Sequence, residues 1–360
     1  MKVAIMGAGL AGLSCALTLE KNGISPTVFE SRSQVGDRFV NSEIILSALC
    51  RPHRDPLAYL ADTYGIFLHP VGHISELLLF SEHEKAVVNG QLGFSTIRGR
   101  DADSWEKQLA RQVKSEIVFN SRHAYEDLLE EYTHVVVATG DGAYAEKMQN
   151  YQTDLTVTIK GATLEGSFNR YAVAAWLDSR YAPQGYSYFI PYSEHEANLS
   201  VAFPDYPQNE NVDADQLWQH LHETVRRDLG QELKITDSFS ITGYAIGLCN
   251  YPRLGNTFFT GNCFGAIMPF LGFGQYPAIL TGIYAALDLC GKGRYEDLTR
   301  PLRKSYQNAL ALRRSLEKLD NKGLDLVVKA LNTKAAERLF HSRFDFLKGA
   351  GMLLRALPEQ

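Results

Sequence analysis

Cysteine is scarce in this chain, and what there is stands apart. The five residues Cys15, Cys50, Cys249, Cys263 and Cys290 include no CxxC pair. The odd count and wide spacing exclude a disulfide framework and supply no zinc or iron–sulfur ligand set. A reducing cytoplasm is the expected compartment. An excess of positive charge is also missing. The chain has 36 Lys and Arg against 41 Asp and Glu, a formal net charge of −5, which argues against a nucleic-acid partner. Two apolar stretches invite an export or membrane reading, and both fail on composition. The run from Lys2 to about Leu19 has the outline of a secretory leader but reads better as a strand, a glycine turn and a helix. The stretch from Gly265 to Leu287 has membrane-like length, yet Pro269, Gly272, Gly274, Gln275 and Pro277 interrupt its first half. Repeats and low-complexity linkers are absent. No Ser-His-Asp arrangement or pair of catalytic carboxylates stands out. His53, His69 and His73 lack ligand-like spacing and read as structural, so no metal site is expected.

What is present is an ordinary globular balance over 360 residues, 45% hydrophobic and 21% charged, enough for two domains. Residues 2–6 read as a buried strand, 11–22 as a helix ended by Gly23, and 26–30 as a second strand. Helices are expected at 56–64 and 103–114, and the run at 134–140 is a buried strand entering a glycine turn. From about Leu155 the pattern changes to alternating strands, with a hairpin turn at Ser193–His195. An amphipathic helix at 214–229, further strands to about Leu248, a strand at 258–261 and a helix from about Tyr276 follow, and the remainder is helical. This order predicts an α/β, Rossmann-type nucleotide domain made of residues 1–75, 96–150 and 250–300. It is interrupted by a mostly antiparallel β-sheet substrate domain of residues 76–95 and 151–249, with a helical C-terminal region over 301–360. Residues 300–360 carry 13 Lys and Arg against 6 Asp and Glu, a net of +7 that leaves −12 on the rest. Two readings of that asymmetry stay open: a solvated helical face, or a basic surface for anionic lipid or an acidic partner.

The first chemical motif is Gly7-Ala8-Gly9-Leu10-Ala11-Gly12, between the first strand and the first helix. Gly7 permits the tight turn, Gly9 lets backbone approach a pyrophosphate, and Gly12 lets helix and strand pack closely. Leu10 and Ala11 open the helix, whose free N–H groups and positive dipole end suit a diphosphate. Glu30, 18 residues past Gly12 and followed by Ser31, is placed to accept hydrogen bonds from an adenosine ribose. This unit alone does not separate NAD from FAD.

The separating feature lies downstream, in GNCFGAIMPFLGFGQYPAILTGIYAALDLC at 261–290. It resembles the second FAD motif of the p-hydroxybenzoate hydroxylase-like flavoproteins, matching at Gly261, Pro269, Gly272 and Gly274. Within that superfamily the chain most resembles the geranylgeranyl reductase family. Gly185-Tyr186-Ser187-Tyr188-Phe189-Ile190-Pro191 is similar to that family's substrate-lining strand, Thr281-Gly282 to its small pair in the last FAD helix, and Ile97-Arg98-Gly99 to its cofactor-contacting Arg. The resemblance implies FAD as cofactor, held by Gly7, Gly9, Leu10, Ala11, Gly12, Glu30, Ser31, Arg38, Arg98, Thr139, Gly140, Gly261, Asn262, Pro269, Gly272, Phe273 and Gly274. It implies an oxidoreductase that passes hydride or electrons to an apolar, isoprenoid- or quinone-like substrate. NAD(P)H and a protein are both open as the electron donor.

The chain also departs from the family. Asn262 replaces the usual acid, Tyr188 the usual Trp, and Asn41-Ser42-Glu43 stands where Cys-Gly-Glu is common. Ala138-Thr139-Gly140 replaces the hydroxylases' Ala-Asp-Gly, with Asp141-Gly142 as a shifted candidate. Tyr186, Tyr188 and Cys50 are the candidate proton donors. Strand alternation puts Tyr186, Tyr188 and Ile190 on one face and Phe189 on the other, and the face with Tyr186 and Tyr188 is expected to meet the flavin. A flavin-dependent aromatic hydroxylase is the alternative enzyme, and a flavin-binding protein without turnover the alternative of another class. The expected placement is cytoplasmic, with peripheral membrane contact through the basic tail as a second option.

Overall fold

A computed structural model describes residues 1–342 together with 345, 348 and 349. The strand Val3–Met6, buried at every position, forms the centre of a six-stranded sheet. It pairs in parallel with Thr27–Phe29 on one side and His134–Val137 on the other. The sheet continues to Ile117–Val118 at one edge, and through Thr257–Phe259 to Arg253–Leu254 at the other. Strands covered on both faces need continuous apolar runs, VAIM here and the three valines Val135, Val136 and Val137, not alternation. Helix Leu10–Lys21 covers this sheet and is itself crossed by helix Gln275–Leu289. Gly282 makes the crossing close, because a Cβ there would lie 2.0 Å from the Ala11 carbonyl oxygen.

The second sheet has eight strands, in the order Lys234–Cys249, Tyr151–Glu165, Glu196–Pro204, Tyr186–Pro191, Ala172–Trp176, Gly72–Phe80, Lys85–Arg98 and Asn41–Leu46. All neighbours are antiparallel except Ala172–Trp176 with Gly72–Phe80. Strand Asn41–Leu46 joins this sheet although it falls within residues 1–75, and the hairpin of Gly72–Phe80 and Lys85–Arg98 extends past 76–95 at both ends. Helix Ala214–Leu229 packs Trp218, Leu221 and Val225 on one face, against Phe189, Leu199 and Val201. The opposite face is covered by the C-terminal helices Tyr295–Leu316, Asn321–Leu331 and Lys334–His341. Leu316, Leu324, Val328 and Phe340 cluster there with Leu77, Leu79, Val173 and Ile190. The helix expected at 103–114 is shorter, Trp105–Ala110. Among the described residues, no helix is long and apolar enough to cross a membrane. Most of the apolar tail segment Phe344–Leu354 lies outside the described residues.

Candidate functional site

The three glycines of the first turn are required for different reasons. Gly7 has φ +111°, and a Cβ on it would sit 2.3 Å from the Ala138 carbonyl oxygen. A Cβ on Gly12 would sit 2.0 Å from the carbonyl oxygen of Gly7. Packing explains both. Gly9 is different: its backbone is extended, φ −88° and ψ −172°, and an added Cβ would meet nothing within 4 Å. Neither strain nor internal contact demands a glycine there, so its missing side chain serves something that approaches from outside. Glu30 stands beside this turn. Its Oε2 accepts from the Ala8 amide at 2.8 Å and its Oε1 from the Arg32 amide at 2.9 Å, while the Ser31 hydroxyl lies 3.4 Å from Oε1.

The second crossing point is stitched to the first. The Thr281 hydroxyl accepts from the Gly261 amide at 2.9 Å. The Cys263 thiol donates to the Asp141 carbonyl at 2.9 Å and lies 3.2 Å from the Thr139 hydroxyl, and burial pushes its pKa up to about 11. The Asn262 Nδ2 donates to the Gly140 carbonyl at 2.7 Å and to the Tyr244 hydroxyl at 2.6 Å. This accounts for the departure from an acid. A carboxylate has no proton to give the Gly140 carbonyl, and an amide does. Asp141 accepts from the Ala143 amide at 3.1 Å.

Both crossing points open onto one cavity of about 430 Å³. Gly9, Leu10, Ala11, Gly140, Gly261, Asn262, Pro269, Gly272, Phe273 and Gly274 line it. The loop from Pro269 to Gly274 is a closed turn: the Met268 amide donates to the Phe273 carbonyl at 2.9 Å and the Gly272 amide to the Met268 carbonyl at 3.1 Å. Leu271 and Gly272 carry φ +62° and +66°, the only turn in the wall built from two consecutive left-handed residues among those described.

Arg38 and Arg98 also line the cavity, inside a buried polar group that the sequence did not reveal. The Arg98 Nε donates to Glu106 at 2.6 Å and its Nη1 to Glu43 at 3.4 Å. Gln275, the first residue of the last FAD-type helix, donates to Glu43 at 2.6 Å and to the Thr96 hydroxyl at 2.8 Å. Arg38 donates to Asn41 at 3.2 Å. Burial pushes the Glu43 carboxyl up, but Arg98, Gln275, Arg38 and Asn41 together reverse that and hold its pKa below the ordinary value. Glu43 is therefore an ionised carboxylate. Its only sequence signal was its place after Asn41-Ser42. Gln275 follows Gly274 directly, and Tyr244 falls outside both motifs in the sequence.

On strand Tyr186–Pro191, Tyr186, Tyr188 and Ile190 face the cavity while Phe189 packs on the opposite side of the sheet. The Tyr186 hydroxyl donates to the Leu271 carbonyl at 2.6 Å. Burial raises both phenols, Tyr188 to about 12 and Tyr186 further. Cys50 is not a wall residue. It is buried near Tyr276, and burial pushes its thiol up to about 12. His53 is stacked on Tyr59 and hydrogen-bonded to the Tyr276 hydroxyl at 2.7 Å. Thr139, Glu30 and Ser31 do not line the cavity. The rest of the wall is mostly aliphatic and aromatic, including Leu46, Leu49, Leu77, Leu79, Val173 and Leu177.

Residues 1–167 match the pyridine nucleotide-disulphide oxidoreductase family. No curated protein matched the chain in sequence. Among solved structures, the chain is similar to a geranylgeranyl bacteriochlorophyll reductase-like protein from Thermoplasma acidophilum, at 14% identity with TM-score 0.72 over 98% of each chain. It is also similar to a flavin-dependent brominase, at 17% identity with TM-score 0.67 over 99% of this chain and 98% of the other. A third is aklavinone-11 hydroxylase in complex with FAD and aklavinone, at 15% identity with TM-score 0.61 over 91% of this chain and 70% of the other. At these identities the likeness is one of fold. The chain thus has the fold of the FAD-dependent oxidoreductases, and its two glycine turns fit that cofactor.

Proposed function

We propose that the protein is an FAD-dependent oxidoreductase that delivers reducing equivalents to an apolar, isoprenoid- or quinone-like substrate. The observation that carries this reading is one continuous cavity, which runs from the diphosphate turn at Gly9 to a wall of Leu46, Leu49, Leu77, Leu79, Val173 and Leu177. When bound, FAD supplies the redox chemistry, taking electrons from a donor and passing them to the substrate. The chain supplies the rest. The amides at Gly9–Ala11 and the helix N-terminus behind them hold a diphosphate, and Glu30 holds a ribose. Asn262 and the Pro269–Gly274 loop hold the ring end. The apolar wall binds the substrate and excludes water from it.

Reduction of a double bond or a quinone also needs a proton. Tyr188 is the best placed of the three candidates. The Tyr186 proton is committed to Leu271, and Cys50 stands behind the wall. The test is anaerobic. Holoprotein reduced by light is mixed with a prenylated benzoquinone, and reoxidation of the flavin without oxygen is expected. Reoxidation only after oxygen is admitted, with an oxygen atom recovered in the product, would make the protein a hydroxylase like the aklavinone enzyme. Reduction by NADPH or NADH alone, measured in the same apparatus, decides whether a nicotinamide serves as donor.

A further inference from the structure

Four charged residues line the cavity, among those described: Arg38, Glu43, Arg98 and Arg313. The first three belong to one hydrogen-bonded group around strand Asn41–Leu46. Arg313 stands alone, on the opposite element, in helix Tyr295–Leu316. It is only 8% exposed, and its neighbours in the wall are Tyr186, Phe270, Leu271 and Leu316. Its Nε donates to Glu317 at 2.9 Å and its Nη2 to the Gln184 carbonyl at 3.0 Å. Among the described residues Nη1 has no hydrogen-bond partner. A guanidinium presents five N–H groups, so Arg313 keeps donors to spare, and none of them is sealed away from a group bound in the cavity.

The geometry points to Arg313 as the reader of a neutral carbonyl oxygen on an otherwise apolar substrate. This rests on the cavity being the substrate site. Its charge balance selects among the substrates that reading allows. Glu317 already neutralises Arg313, and Glu317 is itself held by the Tyr206 hydroxyl at 3.0 Å. A diphosphate at Arg313 would therefore bury extra negative charge among Leu and Phe side chains with no cation left to meet it. A quinone-type carbonyl accepts one charge-assisted hydrogen bond and adds no charge. The inference thus favours a carbonyl-bearing ring over a prenyl diphosphate.

A purely structural Arg313, tying its helix to the turn at Gln184, would affect folding but would not discriminate between ligands. The experiment is an equilibrium titration of the oxidised, FAD-bound full chain, followed by flavin absorbance. The probes are a decyl-substituted benzoquinone, decylbenzene and geranylgeranyl diphosphate. In the unaltered protein the quinone is expected to bind about tenfold or more tightly than decylbenzene, the size of one hydrogen bond to a charged group. The diphosphate is expected to bind more weakly than the quinone. Arg313→Met should bring the quinone-to-hydrocarbon ratio close to one, and Arg313→Lys should restore part of it. A ratio unchanged in Arg313→Met, or preference for the diphosphate, overturns the assignment and leaves the apolar site standing. Failure of both decyl compounds to bind overturns the proposed function and this inference with it. Should Arg313→Met not fold, the unaltered protein still decides, because a quinone no tighter than the hydrocarbon refutes the claim.

Discussion

Substituting Gly9 and Gly12 in parallel separates ligand space from packing space. Both lie in one turn, yet a Cβ on Gly9 meets nothing within 4 Å while a Cβ on Gly12 lies 2.0 Å from the Gly7 carbonyl oxygen. Gly9→Val should leave the FAD-free protein within about 1 kcal/mol of the original. The extended φ and ψ suit valine, and the reduced freedom of the unfolded chain offsets the poorer helix cap. The valine then stands where a diphosphate must come, so FAD binding should disappear. Gly12→Ala should do the reverse at the level of the fold. Helix Leu10–Lys21 must move off strand Val3–Met6, at a cost of about 1–3 kcal/mol or more. Denaturant unfolding of FAD-stripped protein measures the first quantity, and quenching of FAD fluorescence the second. Stripping matters because bound cofactor itself stabilises by mass action and would blur the two effects. Tight FAD binding by Gly9→Val, or a large loss of stability in its cofactor-free form, would refute the argument that an external group explains this glycine.

Other outcomes follow from single contacts. Glu30→Ala should weaken FAD by about 1.5–3 kcal/mol and leave FMN, which has no adenosine, much less affected; equal losses in parallel titrations would remove the ribose role. Tyr188→Phe should lower turnover by about a hundredfold with little change in KM, while Tyr186→Phe costs less; the opposite order would move the proton donor to Tyr186. Asp325 accepts from the Ser81 hydroxyl at 2.6 Å and the His83 amide at 3.1 Å and pairs with the His83 ring at 2.9 Å, which holds its pKa at about 2. Because that is below its unfolded value, the stability it contributes is present above about pH 4 and is lost as pH falls toward 2, and Asp325→Asn should flatten this part of the acid unfolding curve. Recovery with floated vesicles should be equal for anionic and neutral lipid at physiological salt; strong anionic preference would support the membrane reading of the tail.

Local chemistry was the legible part. Gly7, Gly12 and Glu30 sit within one βαβ unit, where spacing along the chain is nearly spacing in three dimensions. The Gly261–Gly274 motif could be read for the same reason, since the loop folds on itself through Met268 and Phe273. The parity of Tyr186 and Tyr188 was readable as alternation, but which face met the cavity depended on what covers the sheet. Strand Asn41–Leu46 was not anticipated, and residues 76–95 were assigned to the β-sheet domain without the bounds of Gly72–Phe80 and Lys85–Arg98. Gly90 and Gly93 break the last of them, and its neighbours Ser95 and Thr96 are buried polar residues that blur the apolar pattern. Glu43, Gln275 and Thr96 come from three elements far apart in sequence, so no local pattern could have joined them.

The tail shows what composition alone leaves open. Its net charge of +7 allowed a solvated face or a surface for lipid or an acidic partner, and in the structure the helices turn their apolar faces toward the cavity. Arg313 is buried against Glu317, and Arg314 and Lys329 lie 3.8 and 3.7 Å from Asp154 and Glu84. The positive tail therefore meets acids on the eight-stranded sheet and in one of its hairpin turns, which belong to the part of the chain carrying −12. Exposed pairs of this kind add little stability singly. Their effect is orientation: like charges on the two surfaces would repel, so the pattern favours one docking of the helices over the sheet. That docking also brings Leu316, Val327, Leu331 and Phe340 into the cavity wall, so part of the proposed substrate site is set by residues that the nucleotide motifs never touch.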